Sequence, residues 1–152
     1  MKRLLALLLA TLLLTALLVG CVERSVITEE EFISEMKARG FSLEHIEYSG
    51  ELKRNPITAD NGKYEILFYN CTDAESARSL YDRAVGIIEA DADIQYMSFT
   101  ISGNDYNYRS LNNDGYYFVV SRVENTVMLC YGAPKEYRDE IIQLMTDLGY
   151  DS

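Results

Sequence analysis

Nucleophilic catalysis needs a base held beside its nucleophile, and this 152-residue chain offers few pieces for one. Its one histidine is His45, in Leu43-Glu44-His45-Ile46, and no nucleophile-elbow pattern occurs anywhere. Cys71 and Cys130 lie in apolar, strand-like runs, at no spacing that pairs them with His45. In such runs a free thiol behaves as a small hydrophobe. Free thiols are the expected state, with a disulfide left open because adjacency in space is not readable. One histidine and scattered thiols lack the paired spacing of a zinc site. Glu89-Ala90-Asp91-Ala92-Asp93 looks like part of a calcium loop. Counted from Asp91, however, the glycine position holds Tyr96 and the closing glutamate position holds Ser102. The acidic run therefore reads as a solvated helix end. Carboxylates are so numerous that no pair stands out as a glycosidase dyad. No catalytic residue, metal ligand or cofactor site is assigned.

The better candidate for function is a surface. The chain has 12 tyrosines and no tryptophan. A two-residue turn at Glu124-Asn125, chosen over a longer loop from Arg122 to Asn125 that competes with it, would set Val123 opposite Thr126, and strand alternation then sorts the hairpin into two faces. Phe118, Val120, Val127, Leu129 and Tyr131 fall on one, expected to meet the helix stripe of Tyr137–Leu148. Tyr117, Val119, Ser121, Met128 and Cys130 fall on the other. That second face is apolar too, which is unusual where a sheet meets water. Either a helix or long loop covers it, or Tyr117, Val119, Met128 and Cys130 form a binding or self-association face. The expectation is that Val120→Asp unfolds the domain whereas Ser121→Asp is tolerated; comparable losses would mean that both faces are covered.

The elements that position these residues are legible in part. Thr28-Glu29-Glu30-Glu31 is a capping box, Phe32, Ile33 and Met36 make a stripe, and Gly40 stops the helix. Phe41 to Ser49 reads as a weak strand. Glu51 to Gly62, with Pro56 and Asp60-Asn61-Gly62, reads as loop. Tyr64 to Cys71 reads as a strand. A second capping box, Thr72-Asp73-Ala74-Glu75, opens a helix with Ala77, Leu80, Tyr81, Ala84 and Ile88 on one face. Ile94 to Ser102 alternates as a strand, Gly103 to Asn107 is a turn, and Asn112-Asn113-Asp114-Gly115 is a turn before the hairpin. Pro134 opens a last helix that Gly149 ends. The order is α-β-β-α-β-β-β-α. The expected fold is one α+β domain over 28–152, with a mainly antiparallel sheet of about five strands and three helices.

The start of the chain is of a different kind. Met1-Lys2-Arg3 is cationic, and Leu4 to Leu18 holds only Leu, Ala and Thr. Those 15 residues suit a signal segment and fall short of the roughly 20 that a spanning helix needs. The run ends Leu18-Val19-Gly20-Cys21, which resembles the lipobox of bacterial lipoproteins. The resemblance implies a signal peptide over 1–20, lipid on Cys21, a tether over 21–27, and a domain anchored to the cell membrane outside the cytoplasm. Tyr116–Thr126, Glu136–Ile141 and Leu148-Gly149-Tyr150 resemble the C-terminal part of small uncharacterised lipoproteins of Gram-positive bacteria. That likeness carries no activity with it.

Residues 1–20 hold two of the 14 basic residues and none of the 24 acidic ones, so the remainder carries a formal charge of −12. Such a charge argues against a nucleic-acid partner and against a polybasic lipid-binding surface. Asn70-Cys71-Thr72 matches a glycosylation sequon, incidental in a bacterial setting. The expected function is a non-catalytic binding or modulating domain at the cell envelope, with the membrane as partner through Cys21. The alternatives are an envelope hydrolase using carboxylate or cysteine chemistry, and a structural, self-associating lipoprotein.

Overall fold

The computed structural model describes residues 26–47, 52–91, 97–113 and 115–151. The expected signal peptide, Cys21 and residues 22–25 of the tether lie outside the described residues, as do Ala92, Asp93 and Asp114.

Thr28 caps the first helix, α1 (Glu29–Ala38). The Glu31 N–H donates to the Thr28 hydroxyl at 3.2 Å, and the Thr28 N–H donates back to the Glu31 carboxylate at 2.8 Å. Two helix N–H groups that would otherwise lack partners are thus satisfied. The helix ends at Gly40, whose φ of +84° favours glycine. There Gly40 N–H donates to Lys37 O and Phe41 N–H to Met36 O. The last helix, α3 (Arg138–Asp147), closes in the same way at Gly149 and Tyr150. Pro134 does not open that helix. It ends a strand, and a 3-10 turn over Lys135–Tyr137 comes first. The central helix, α2 (Ala74–Asp91), is capped by Asp73, which accepts from the Ser76 N–H at 2.7 Å. Thr72 instead turns its hydroxyl to Ser76 Oγ.

Seven strands follow in chain order: β1 (Ser42–His45), β2 (Ile57–Asp60), β3 (Glu65–Asn70), β4 (Met97–Ser102), β5 (Tyr106–Asn112), β6 (Tyr116–Val123) and β7 (Thr126–Pro134). They form one antiparallel sheet in the order β1-β2-β3-β7-β6-β5-β4. This corrects the expectation of about five strands in the order α-β-β-α-β-β-β-α. The described order is α-β-β-β-α-β-β-β-β-α. The added strands are β2 and β5. β2 is only four residues long, pressed between Pro56 and the Asp60-Asn61-Gly62 turn that joins it to β3. β5 reads as polar in sequence, yet it is paired on both sides and its Asn107 and Ser110 are buried.

The hairpin register is the two-residue one, with Val123 opposite Thr126 and Val120 opposite Leu129. Glu124, not Asn125, takes the left-handed backbone, at φ +48°. Its N–H donates to Asp105 O at 2.6 Å, and its carbonyl accepts from the Arg122 guanidinium at 2.9 Å. These contacts hold a conformation that is unfavourable for a residue bearing a Cβ.

Helices cover both sides of the sheet. Phe32 and Met36 of α1 and Ile141, Leu144 and Met145 of α3 share one core with Phe68, Val119, Met128 and Cys130. Ala77, Tyr81, Ala84 and Ile88 of α2 share another with Val120, Val127, Phe118 and Leu111. The set containing Phe118, Val120 and Val127 therefore meets α2, and not the helix after Pro134 as expected.

Candidate functional site

The expected face of Tyr117, Val119, Met128 and Cys130 is not a surface. Tyr117 is 1% exposed and the other three are 0%, sealed in the core shared with α1 and α3. The Tyr117 and Tyr108 hydroxyls are 3.2 Å apart, and the Arg138 guanidinium lies over the Tyr117 ring. A helical cover, the other outcome the sequence allowed, is what the fold supplies.

Cysteine chemistry loses its basis in the same geometry. Cys130 belongs to the α1/α3 core and Cys71 to the α2 core, and both thiols are free. Burial pushes the Cys130 thiol from its ordinary 9.0 up to about 12. Burial, then the nearby Asp73 carboxylate, pushes the Cys71 thiol up to about 11. A thiol held protonated is a poor nucleophile. His45 is exposed on the edge strand β1, three strand spacings, or about 14 Å, from β7, which carries Cys130. Among the described residues, no cluster of three or more metal-ligating side chains occurs.

One opening lies on the α2 side. The helix packs over β5, β6 and β7. Pairing carries that same face outward through Leu67 and Tyr69 of β3 to Thr58 and Asp60 of β2 and to Ser42 and Glu44 of β1. Where the helix stops short, its flank and the sheet enclose a cleft of about 320 Å³. Leu80, Arg83, Ala84 and Ile87 form the wall, and Tyr69, Val127, Leu129 and Tyr131 the floor. Ile87 is 54% exposed and Tyr131 43%.

The local sequence explains both surfaces. Leu80, Ala84 and Ile87 recur at i, i+4 and i+7, a second stripe that shares Ala84 with the buried one, and Ile87 next to Ile88 was its signal. On the floor, the β6–β7 register shifts between Tyr117 and Val119, leaving Tyr131 and Gly132 opposite Phe118. Gly132 takes φ +67° there, as a bulge of this kind favours. The Tyr131 ring meets Phe118 edge-on with centroids 5.2 Å apart, and its hydroxyl donates to Asp91 at the end of α2. Arg83 is the cleft's one charged lining residue, and among the described residues no carboxylate lies within ion-pair distance of it.

A second hollow, of about 370 Å³, lies at the start of α1, lined in part by Val26, Lys53, Arg54, Asn70 and Asn125. Its charges are partly spent internally, with Arg54 3.2 Å from Glu29 and 3.7 Å from Glu30. The Asn125 carboxamide binds Asn70 Oδ1 and Cys71 O, both at 3.2 Å.

Among the described residues, no helix is long and apolar enough to cross a membrane. No protein-family model matches this sequence, and comparison with curated proteins and with solved structures returns no match.

Proposed function

We propose that this chain is a lipid-anchored binding module outside the cytoplasm, with the cleft beside α2 as its ligand seat. The anchor rests on Leu18-Val19-Gly20-Cys21. The observation that carries the binding role is the cleft, where half-exposed Ile87 on the wall stands over an apolar floor that includes half-exposed Tyr131. Its volume lies at the low end of the roughly 300–1,000 Å³ typical of small-molecule sites. The lining fits an apolar body, and Arg83 fits an anionic group attached to it. Cysteine-based hydrolysis is the less favoured reading, because burial holds both thiols protonated.

Each half has its own test. Cys21→Ala should leave an unprocessed precursor without lipid label; normal-sized, labelled protein would overturn the anchor. For the cleft, the probe is anilinonaphthalene sulfonate, an apolar ring system bearing an anion. It should bind the folded chain from Val22 onward, and Ile87→Glu should weaken that binding at least tenfold with little change in melting temperature. Unchanged binding in that variant would remove the cleft as the seat.

A further inference from the structure

Among the described residues, only one of the sheet's two edges is protected. A free edge is a row of backbone N–H and C=O groups ready to pair with another strand. β1 is four residues long and places Glu44 and His45, both exposed, on its edge. β4 is six residues, Met97-Ser98-Phe99-Thr100-Ile101-Ser102, with no charge, no proline and no glycine. Among the described residues it pairs with β5 alone, in unbroken register from Met97–Asn112 to Ser102–Asn107. Ser98, Phe99, Thr100 and Ser102 are exposed, Phe99 at 51%. In a chain that is 25% charged, an uncharged exposed edge of this length marks a pairing surface.

We propose that β4 pairs antiparallel with β4 of a second copy of this chain, about a two-fold axis through Thr100. The strand is self-complementary in that register. Thr100 meets Thr100, Phe99 meets Ile101, and Ser98 meets Ser102. Residues directly opposite in an antiparallel pair share a face. The hydroxyl side chains therefore all fall on the α2 side, where Thr100 already accepts from Arg109. Phe99 and Ile101 fall on the other side, where Phe99 already packs edge-on against Tyr108. The two patches are identical, as a closed dimer requires. Charge does not oppose the seam locally. Arg109, the nearest charged residue in the row, is paired with Glu89, so the row stays neutral although each copy is strongly acidic. A seam of one six-residue strand per copy lies at the small end of specific interfaces, so pairing is expected to be weak and concentration-dependent. Confinement by a lipid anchor would raise the effective concentration, but the seam itself does not depend on the anchor.

Cysteine crosslinking in the full chain, in its host membrane, reads the register directly. Thr100→Cys should give a disulfide-linked homodimer under mild oxidation, because partners across the axis come within disulfide reach. Ser98→Cys alone should give at least tenfold less, since its partner is Ser102. Mixing Ser98→Cys chains with Ser102→Cys chains should restore the product. Phe99→Lys placed in the Thr100→Cys chain should abolish it, while amide exchange in β5 stays protected and shows the sheet intact. Equal crosslinking at positions 98 and 100, no crosslinking at position 100, or an adduct only with a different protein would each overturn the proposal. The same series on purified chain at rising concentration separates the seam from the anchor. Position dependence there sustains the pairing even if Cys21 carries no lipid.

Discussion

The two sides of the sheet use the same seven strands to opposite ends. Across the side facing α1 and α3, one paired row reads His45, Ile57, Phe68, Met128, Ser121, Tyr108, Ile101. From Ile57 to Tyr108 every member is buried. On the other side a row reads Glu44, Thr58, Leu67, Leu129, Val120, Arg109, Thr100. Only Val120 in that row is fully buried. Two helices close the first side, whereas one helix closes the centre of the second and leaves its flank open. Apolar alternation in a strand marks burial, but the number of helices available decides whether the burial is complete.

Charge insertion should give the largest contrast between the sides. Ser121 is 0% exposed and donates its hydroxyl to Asn107 O at 3.3 Å. Ser121→Asp puts an unpaired carboxylate into the closed core and should destabilise the domain by about 3–5 kcal/mol, as uncompensated buried charges do. Val120→Asp should do the same from the α2 side, since Val120 is equally buried. The sequence-level expectation that Ser121→Asp is tolerated therefore does not hold for this fold. Thr58→Lys, in the open row beside Glu44, should stay within about 0.5 kcal/mol of the parent. Chemical denaturation of the three variants checks this, and similar losses for Ser121→Asp and Thr58→Lys would erase the distinction between the sides.

Much of this contrast was out of reach of the sequence, for reasons that particular residues make plain. The hairpin faces followed from alternation and register, and the structure keeps both sets together. Which helix meets which set did not follow, because both sets are apolar and both helix stripes fit either. β5 was hidden by its polarity. Its Asn107 accepts from Arg122 Nε at 2.7 Å and its Arg109 pairs with Glu89. Arg122 is itself 1% exposed, with its other nitrogens on the carbonyls of Asn104 and Glu124. Polar residues that satisfy one another across strands read as a turn when taken one at a time. The cleft was missed because it is a gap left between elements, although Ile87 outside the buried stripe was a visible trace of it.

Alkaline pH should separate the sides by a smaller amount. Both thiols have folded pKa values above their ordinary 9.0, about 11 for Cys71 and about 12 for Cys130. The unfolded chain therefore loses these protons first. The stability they contribute is complete below pH 9 and is lost as pH rises toward 11 for Cys71 and 12 for Cys130. Cys130, in the closed core, carries the larger shift. Relative to the parent, Cys130→Ala should flatten the decline above pH 9 more than Cys71→Ala does. Parallel declines for the two variants would show that the closed side excludes water no better than the α2 side.

The smallest effect should come from the open side itself. The Tyr131 hydroxyl donates to Asp91, tying β7 on the cleft floor to the last residue of α2 on its wall. Tyr131→Phe removes that tie and keeps the ring against Phe118. An intramolecular hydrogen bond typically contributes about 0.5–1.5 kcal/mol, but here water reaches a side chain that is 43% exposed and replaces the lost partner. The expected loss is therefore no more than about 0.5 kcal/mol, or roughly 2–3 °C in melting temperature. What should change is local motion. Amide exchange at the C-terminal end of α2 should quicken while exchange in β6, buried between the two cores, stays slow. A loss above about 1.5 kcal/mol, with exchange rising in β6 as well, would mean that the cleft wall and the closed core unfold as one unit. The open flank would then be structural cover rather than a seat free to adapt to a ligand.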